Sequence, residues 1–137
     1  MFLNPSADEI RNLLQGVRSI AIVGASPKPE RPSHSIAQFF IEQGLTVVPV
    51  HPAIRELFGV TAYPSLSAIP FKVDMADFFI NADRVGPMVD EAVGLGIRNI
   101  WMQDGVIDEA AAQRARDAGH TVVMNDCSYR RWRQLMR

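Results

Sequence analysis

Residues 20–40 read IAIVGASPKPERPSHSIAQFF, and this stretch decides the fold. An apolar run ends at Gly24, a loop with three prolines and two basic residues follows, and a helix-like pattern then begins. A strand, a glycine turn and a helix in this order present backbone N–H groups and the positive end of the helix dipole to an anion. The stretch therefore predicts a phosphate-binding turn, in which Ala25 and Ser26 leave room for backbone N–H groups to face the anion.

The same alternation of strand and helix continues along the chain. Two roles are open to Ser33: it caps the helix that follows the loop, or its hydroxyl joins the anion site. Residues 53–70 are predicted to be irregular, with a short strand and one helical turn. The strands are continuous apolar runs, which indicates that both of their faces are covered. We predict a Rossmann-like, doubly wound α/β fold with a mainly parallel five-stranded sheet in three α/β/α layers. The predicted strands are 19–23, 46–50, 73–80, 99–102 and 121–124, and the predicted later helices are 33–43, 84–95, 108–118 and 128–137.

Composition limits the class of protein. The 137 residues are 47% hydrophobic and 21% charged, as expected for one globular domain that spans residues 1–137. Fourteen basic residues stand against fifteen acidic ones, so no basic field predicts a nucleic-acid partner. No apolar run approaches the ~20 residues that span a membrane. Cys127 is the only cysteine, and the first residues do not resemble a signal peptide, so we expect a cytoplasmic protein without disulfides or membrane partners.

The class of ligand is narrowed by the nucleotide-binding motifs that the loops do not contain. In an open α/β sheet the ligand lies at the carboxyl ends of the strands. No G-x-G-x-x-G follows the first strand, and the second strand ends in Val50, His51 and Pro52 without the acid that a dinucleotide ribose requires. The G-K-[ST] of a P-loop is also absent. A phosphate-bearing nucleotide approached by backbone remains, with Lys28 and Arg31 supplying positive charge at the rim.

Three motifs together resemble the stand-alone CoA-binding domain family. They are IAIVGASPKPERPSHSIAQFFIEQGLTVVPVHP, WMQDGV and VVMNDC, and the resemblance runs from about Ser19 to Cys127. The same fold forms the CoA-binding part of the succinyl-CoA synthetase alpha subunit and of ADP-forming acyl-CoA synthetases. The resemblance implies that the ligand is coenzyme A or an acyl-CoA.

The resemblance also implies a role for each matching position. The residues implied to line the loop against the CoA phosphates are Gly24, Ala25, Ser26 and Pro27. Those implied to lie close to that loop are Lys28, Arg31, Ser33 and His34. Those implied to flank the adenosine are Val50, His51 and Pro52 on one side and Phe79, Ile80 and Asn81 on the other. Those implied to close the crevice towards the pantetheine include Gln103, Gly105 and Cys127.

The sequence departs from the family pattern at three places, one of which is FFINADRV, residues 78–85, where the commoner family versions contain arginine at other contacts. Family members commonly carry Asn-Pro where this chain has His51-Pro52, and Asp-Arg-Cys where it has Asn125-Asp126-Cys127. A basic residue before Cys127 is therefore missing.

Several functional alternatives stay open from the sequence. No nucleophile, base and orienting group can be identified, so we expect no catalysis by this chain alone and no metal site. The rival hypotheses are a sensor of NAD(H) or an adenine nucleotide, and a ligand-free module that docks on an enzyme partner; CoA transfer through Cys127 comes third. A homodimer also stays open. We expect Gly24→Val to abolish ligand binding without unfolding the protein.

Overall fold

A parallel sheet crosses the molecule, and its five strands lie side by side in the order Thr46–Val50, Ser19–Val23, Met75–Phe78, Asn99–Met102 and Thr121–Val123. The structure is a computed structural model that describes residues 1–136. Its elements in chain order are α1 (Ala7–Gly16), β1 (Ser19–Val23), α2 (Pro32–Glu42), β2 (Thr46–Val50), β3 (Glu56–Leu57), β4 (Val60–Thr61), a 3-10 turn (Leu66–Ala68), β5 (Met75–Phe78), α3 (Ala82–Gly94), β6 (Asn99–Met102), α4 (Glu109–Asp117), β7 (Thr121–Val123) and α5 (Ser128–Leu135).

Helices cover both faces of this sheet. Ile10 of α1 and Phe40 of α2 are buried in one core cluster, against which Trp132 of α5 packs. Val85 of α3 and Ala112 of α4 belong to a second cluster on the other face. The predicted Rossmann-like fold with three α/β/α layers is confirmed.

The strands are apolar because both faces are enclosed. Every residue of β5 and β6 is buried, as the continuous apolar runs predict. β2 lies at an edge of the sheet and contains Pro49. Proline has no N–H to donate and is tolerated at such an edge. The Pro49 carbonyl accepts the Tyr63 N–H at 3.0 Å, so the segment after β4 covers part of this edge.

Local sequence determines how the helices begin. Ser6 and Glu9 form a complete capping box at the start of α1. The Asp108 side chain accepts the Ala111 N–H and caps α4. The prediction that Ser33 caps α2 is wrong, because the helix begins one residue earlier, with Pro32 in its first turn.

The connection between β2 and β5 holds more structure than the sequence indicated. Residues 53–70 contain an antiparallel hairpin of two short strands, β3 and β4, followed by the 3-10 turn. The predicted strand 73–80 shortens to β5, which leaves Phe79 and Ile80 in the loop that leads to α3. Of the terminal helix predicted over 128–137, Arg137 lies outside the described residues. No helix within residues 1–136 is long and apolar enough to cross a membrane.

Candidate ligand cleft

A cleft of about 790 Å³ opens at the carboxyl ends of the strands. It lies where the order of the sheet reverses, since the chain passes from β1 to β2 on one side and later returns to β5 on the other. Ligands of open α/β sheets bind at this switch point. The cleft is bordered by all of the site residues predicted from the sequence except His34: Gly24, Ala25, Ser26, Pro27, Lys28, Arg31, Ser33, Val50, His51, Pro52, Phe79, Ile80, Asn81, Gln103, Gly105 and Cys127.

His34 is turned away from the cleft by the hairpin. Its ring packs against Phe58, with the ring centroids 4.9 Å apart. Phe58 occupies the tight turn between β3 and β4 with a φ of 55°. The structure therefore does not place His34 among the residues that border the cleft, contrary to the sequence-based expectation.

The backbone of the loop after β1 is only partly available to a ligand. The N–H groups of Gly24 and Ala25 both donate to the Val50 carbonyl, at 3.0 and 3.2 Å. The Ala25 N–H is therefore not among the backbone donors left for an anion. Within residues 1–136, the N–H groups of Ser26 and Ser33 donate to no protein oxygen. Both residues border the cleft, and Ser33 lies in the first turn of α2, whose N–H groups attract anions.

Gly24 is required by the sheet itself. Its φ is +89°, a conformation that side-chain-bearing residues rarely adopt. A Cβ at this position would overlap the main-chain carbonyl oxygen of Phe79 and lie 3.0 Å from Cδ1 of Ile80. Gly24→Val would therefore strain the junction between β1 and the end of β5 as well as fill the turn.

The acidic and basic side chains that border the cleft differ in whether they have a partner within the protein. Glu91 accepts hydrogen bonds from the backbone and hydroxyl of Ser67. Asp104 is paired with Arg130 at 3.0 Å, and this hydrogen bond lowers the pKa of the Asp104 carboxyl. The basic residues have no such partners, because none of them forms an ion pair with another described residue: Lys28, Arg31 and Arg84. Hydrogen bonds from Ser67 do not neutralise Glu91, so the three unpaired cations leave the cleft with an excess of positive charge over this single unpaired acid.

The sequence analysis did not identify Arg84 as a site residue, although it lies in the first turn of α3, the helix that follows β5. The wall formed by the 3-10 turn and α3 was missed with it. That wall carries the apolar side chains of Leu66 and Met88 beside the charged Arg84 and Glu91. The sequence offered one signal for this wall, which is that α3 follows a buried strand. Residues 53–70 offered none, because they have no helical or strand periodicity.

A buried carboxylate lies below the floor of the cleft. Asp77, in the middle of β5, accepts from the amide nitrogen of Gln103 at 2.6 Å and from the hydroxyl of Ser128 at 2.7 Å. The Gln103 amide nitrogen also donates to the Ser128 hydroxyl at 2.6 Å, so this side chain is turned inward. Complete burial raises the pKa of Asp77 to about 7. An acid inside an apolar strand was the signal for this network, which the sequence analysis did not use.

Asp126, the residue before Cys127, is paired with two arginines of α5. The partners are Arg130 and Arg131, each at 2.8 Å, one turn further along α5. The Asp126 carbonyl also accepts the Trp101 indole N–H at 2.9 Å. Cys127 precedes the first turn of α5 and is half-buried. Two arginines thus lie near Cys127, but their charge is shared with Asp126 and Asp104.

Metal-binding groups are not assembled in residues 1–136, where no three His, Cys, Asp or Glu side chains come together. The family model described as "CoA binding domain" matches residues 18–133. The chain belongs to this family. The resemblance noted in the sequence is thereby confirmed.

The proteins that are similar to this member of the CoA-binding domain family are of two kinds. The uncharacterized protein YneT of Bacillus subtilis is 34% identical over 124 residues, which cover 90% of this chain and 92% of YneT. A hypothetical protein from Pyrococcus horikoshii OT3 has a solved structure with a TM-score of 0.93 and 31% identity, covering 100% of this chain and 99% of that one. Both are similar to this chain over nearly their whole length.

The second kind of relative is a much larger enzyme. The ADP-forming acetate–CoA ligase I of Archaeoglobus fulgidus is 35% identical over 118 residues, which cover 79% of this chain and 17% of the ligase. This chain therefore corresponds to a small part of that ligase.

Proposed function

We propose that this protein binds coenzyme A or an acyl-CoA in the cleft and does not convert it on its own. The observation that carries the proposal is the excess positive charge of Lys28, Arg31 and Arg84 at the switch point of the sheet. CoA is rich in phosphate, and the family to which the chain belongs is a CoA-binding one. The ligase relative, whose name includes CoA, matches through the same domain.

The phosphates are assigned to the loop between β1 and α2. The free N–H groups of Ser26 and Ser33 offer hydrogen bonds to anionic oxygens, and the N-terminal end of α2 adds its dipole. Lys28 and Arg31 lie on the same loop and are exposed, so they can move to meet the remaining phosphate charge. The adenosine then lies beside His51 and Pro52, and the pantetheine extends towards Gln103, Gly105 and Cys127.

We infer that the chain alone does not catalyse a reaction, because the acidic side chains at the cleft already have hydrogen-bond partners. Glu91 and Asp104 border the cleft but are held by Ser67 and Arg130, and Asp77 is sealed below the floor. No base stands next to Cys127 in a hydrogen bond that would activate its thiol among the described residues. The ligase relative, by contrast, has a chain about six times longer than the part that matches this protein.

The test is calorimetric titration of the purified protein with CoA, acetyl-CoA, NADH and ATP. Two charge-matched double variants sharpen it. Lys28→Gln with Arg31→Gln removes two positive charges from the cleft. Lys72→Gln with Arg98→Gln removes the same two charges at the amino-terminal ends of the strands, which form the edge of the sheet opposite the cleft.

We expect CoA and acetyl-CoA to bind more tightly than NADH and ATP, and acetyl-CoA to be recovered unhydrolysed. The cleft variant should lose about tenfold or more in affinity, because two charge-assisted contacts disappear, while the edge variant stays near wild type. Equal losses in both double variants would reduce the effect to net charge and overturn the assignment of the phosphates. If none of the four ligands binds, CoA binding is overturned and the docking module becomes the hypothesis to pursue. A preference for NADH would support the sensor hypothesis instead.

A further inference from the structure

His51, at the end of β2, has all but one of its polar groups held by the protein. Its backbone N–H donates to the Tyr63 carbonyl at 2.9 Å, and its carbonyl accepts the Ile54 N–H at 3.5 Å. Its ring nitrogen Nδ1 accepts the Ala53 N–H at 3.0 Å. A neutral imidazole carries one proton, so the proton lies on Nε2 and makes that atom a donor. Within residues 1–136, Nε2 has no acceptor.

This donor is held beside the phosphate loop. The residue before it, Val50, accepts both the Gly24 and the Ala25 N–H through its carbonyl. The end of β2 is therefore tied to the start of the loop, and His51 borders the same cleft as Lys28 and Arg31. Because its neighbours fix both the backbone and the ring, the donor is oriented before any ligand arrives.

The end of the second strand is where an α/β nucleotide site meets the ribose. An acid at this position accepts hydrogen bonds from free ribose hydroxyls, whereas a basic side chain accommodates a phosphate on the ribose. Residues 49–53, read as PVHPA, contain no acid. In its neutral form His51 offers a donor and no lone pair to the ligand, which suits a phosphate oxygen.

We propose that His51 selects a nucleotide whose ribose is phosphorylated over the same nucleotide with free ribose hydroxyls. This inference rests on the proposed function, because CoA carries a 3′-phosphate on its ribose and 3′-dephospho-CoA does not. The two compounds are otherwise identical, so they isolate the contact at the ribose.

The test uses the matched variants His51→Asn and His51→Asp. Both replacements have a side-chain oxygen that can accept the Ala53 N–H, as in an Asx turn, so both preserve the local turn. They differ in the remaining group, which is an NH2 donor in one and a carboxylate oxygen in the other. His120→Asn, at the opposite edge of the sheet, is the control. Each variant is titrated calorimetrically with CoA and with 3′-dephospho-CoA, after its melting temperature has shown that it is folded.

We expect the wild type and His51→Asn to prefer CoA by about tenfold or more. His51→Asp should lose at least about tenfold in CoA affinity, because the carboxylate repels the phosphate, while its affinity for dephospho-CoA stays within about threefold of wild type or improves. His120→Asn should match the wild type for both compounds.

Two results would overturn the inference while leaving the proposed function in place. One is equal affinity of the wild type for CoA and dephospho-CoA. The other is an equal loss for both compounds in His51→Asp, which would mark a general disturbance of the site. Failure of the wild type to bind either compound would overturn the proposed function as well.

Discussion

Gly24 and the main-chain carbonyl of Phe79 meet at the junction of β1 and β5 with no room for a Cβ between them. The two residues belong to neighbouring strand ends, and the Phe79 N–H donates to the Val23 carbonyl at 2.8 Å. The cleft opens directly above this contact. The glycine therefore supports the site by letting the two strands approach, rather than by touching the phosphates through its own N–H.

Replacing Gly24 with alanine should destabilise the fold. We expect Gly24→Ala to lower the free energy of unfolding by about 2–4 kcal/mol, because the left-handed backbone strain is joined by overlap with Phe79. Gly44→Ala is the matched control, since Gly44 has a similar φ of +87° and no atom within 4 Å of its added Cβ. It should cost about 1 kcal/mol. Urea unfolding measures both, and equal costs would mean that the junction yields without difficulty.

Asp77 should make the protein less stable as pH rises. Its pKa is about 7 in the folded state and 3.8 when unperturbed, so between these values the folded state holds a proton that the unfolded state has lost. Stability attributable to this carboxyl is therefore greatest near pH 4, falls as pH rises to 7, and is constant above that.

The variant Asp77→Asn tests this dependence. It removes the titrating group and leaves an amide that can satisfy Gln103 and Ser128, so we expect it to be more stable than wild type at pH 8 by a few kcal/mol, about 2–4, and similar near pH 4. Urea unfolding at both pH values is the measurement, with exposed Asp117→Asn as the control. A variant less stable than wild type at pH 8 would show that the hydrogen bonds to the ionised carboxylate outweigh its burial.

Asp126 should anchor the start of α5. Its side chain is 11% exposed and pairs with Arg130 and Arg131, so Asp126→Asn removes two partly buried ion pairs. We expect the free energy of unfolding to fall by about 1–3 kcal/mol and amide exchange in residues 128–135 to accelerate. Asp90→Asn breaks an ion pair with Arg114 in which both side chains are about half exposed, and it should change little. Unchanged exchange in α5 would contradict the anchoring role.

Bound CoA should protect Cys127 from alkylation. Cys127 borders the cleft and is the only cysteine, so the label reports this position alone. We expect saturating CoA to slow labelling by iodoacetamide about tenfold, measured by mass spectrometry as the labelled fraction over time. Cys127→Ser should bind CoA with near wild-type affinity, since the thiol is not needed for binding. A labelling rate that CoA does not change would place the pantetheine elsewhere.

Much of the framework was predictable because it depends on local patterns. β1, β2 and β6 have the bounds predicted for them, and the capping box at Ser6 needs only residues three positions apart. The hairpin at residues 56–61 was only partly foreseen, because two-residue strands have no measurable period. Its turn also holds Phe58 at positive φ, where sequence patterns favour glycine or asparagine.

The site was predictable as a set of positions but not as a set of contacts. Strand ends in an α/β sheet converge, and so the residues after β1, β2, β5 and β6 were expected to border one crevice. Their hydrogen bonds could not be read in the same way. The inward turn of Gln103 to Asp77 and the pairing of Asp126 with two arginines depend on groups brought together across the sheet.

The sequence by itself determined the alternation of strand and helix, the glycine turn after β1 and the basic residues beside it, because these features are written in spacing and residue type. The tertiary structure decided which N–H groups remain free and which charges remain unpaired. It also decided that Gly24 is held against Phe79 and that Nε2 of His51, a residue bordering the cleft, is left without an acceptor among the described residues. These are relationships between residues distant in the chain, and only the packing of the strands brings them within hydrogen-bonding distance.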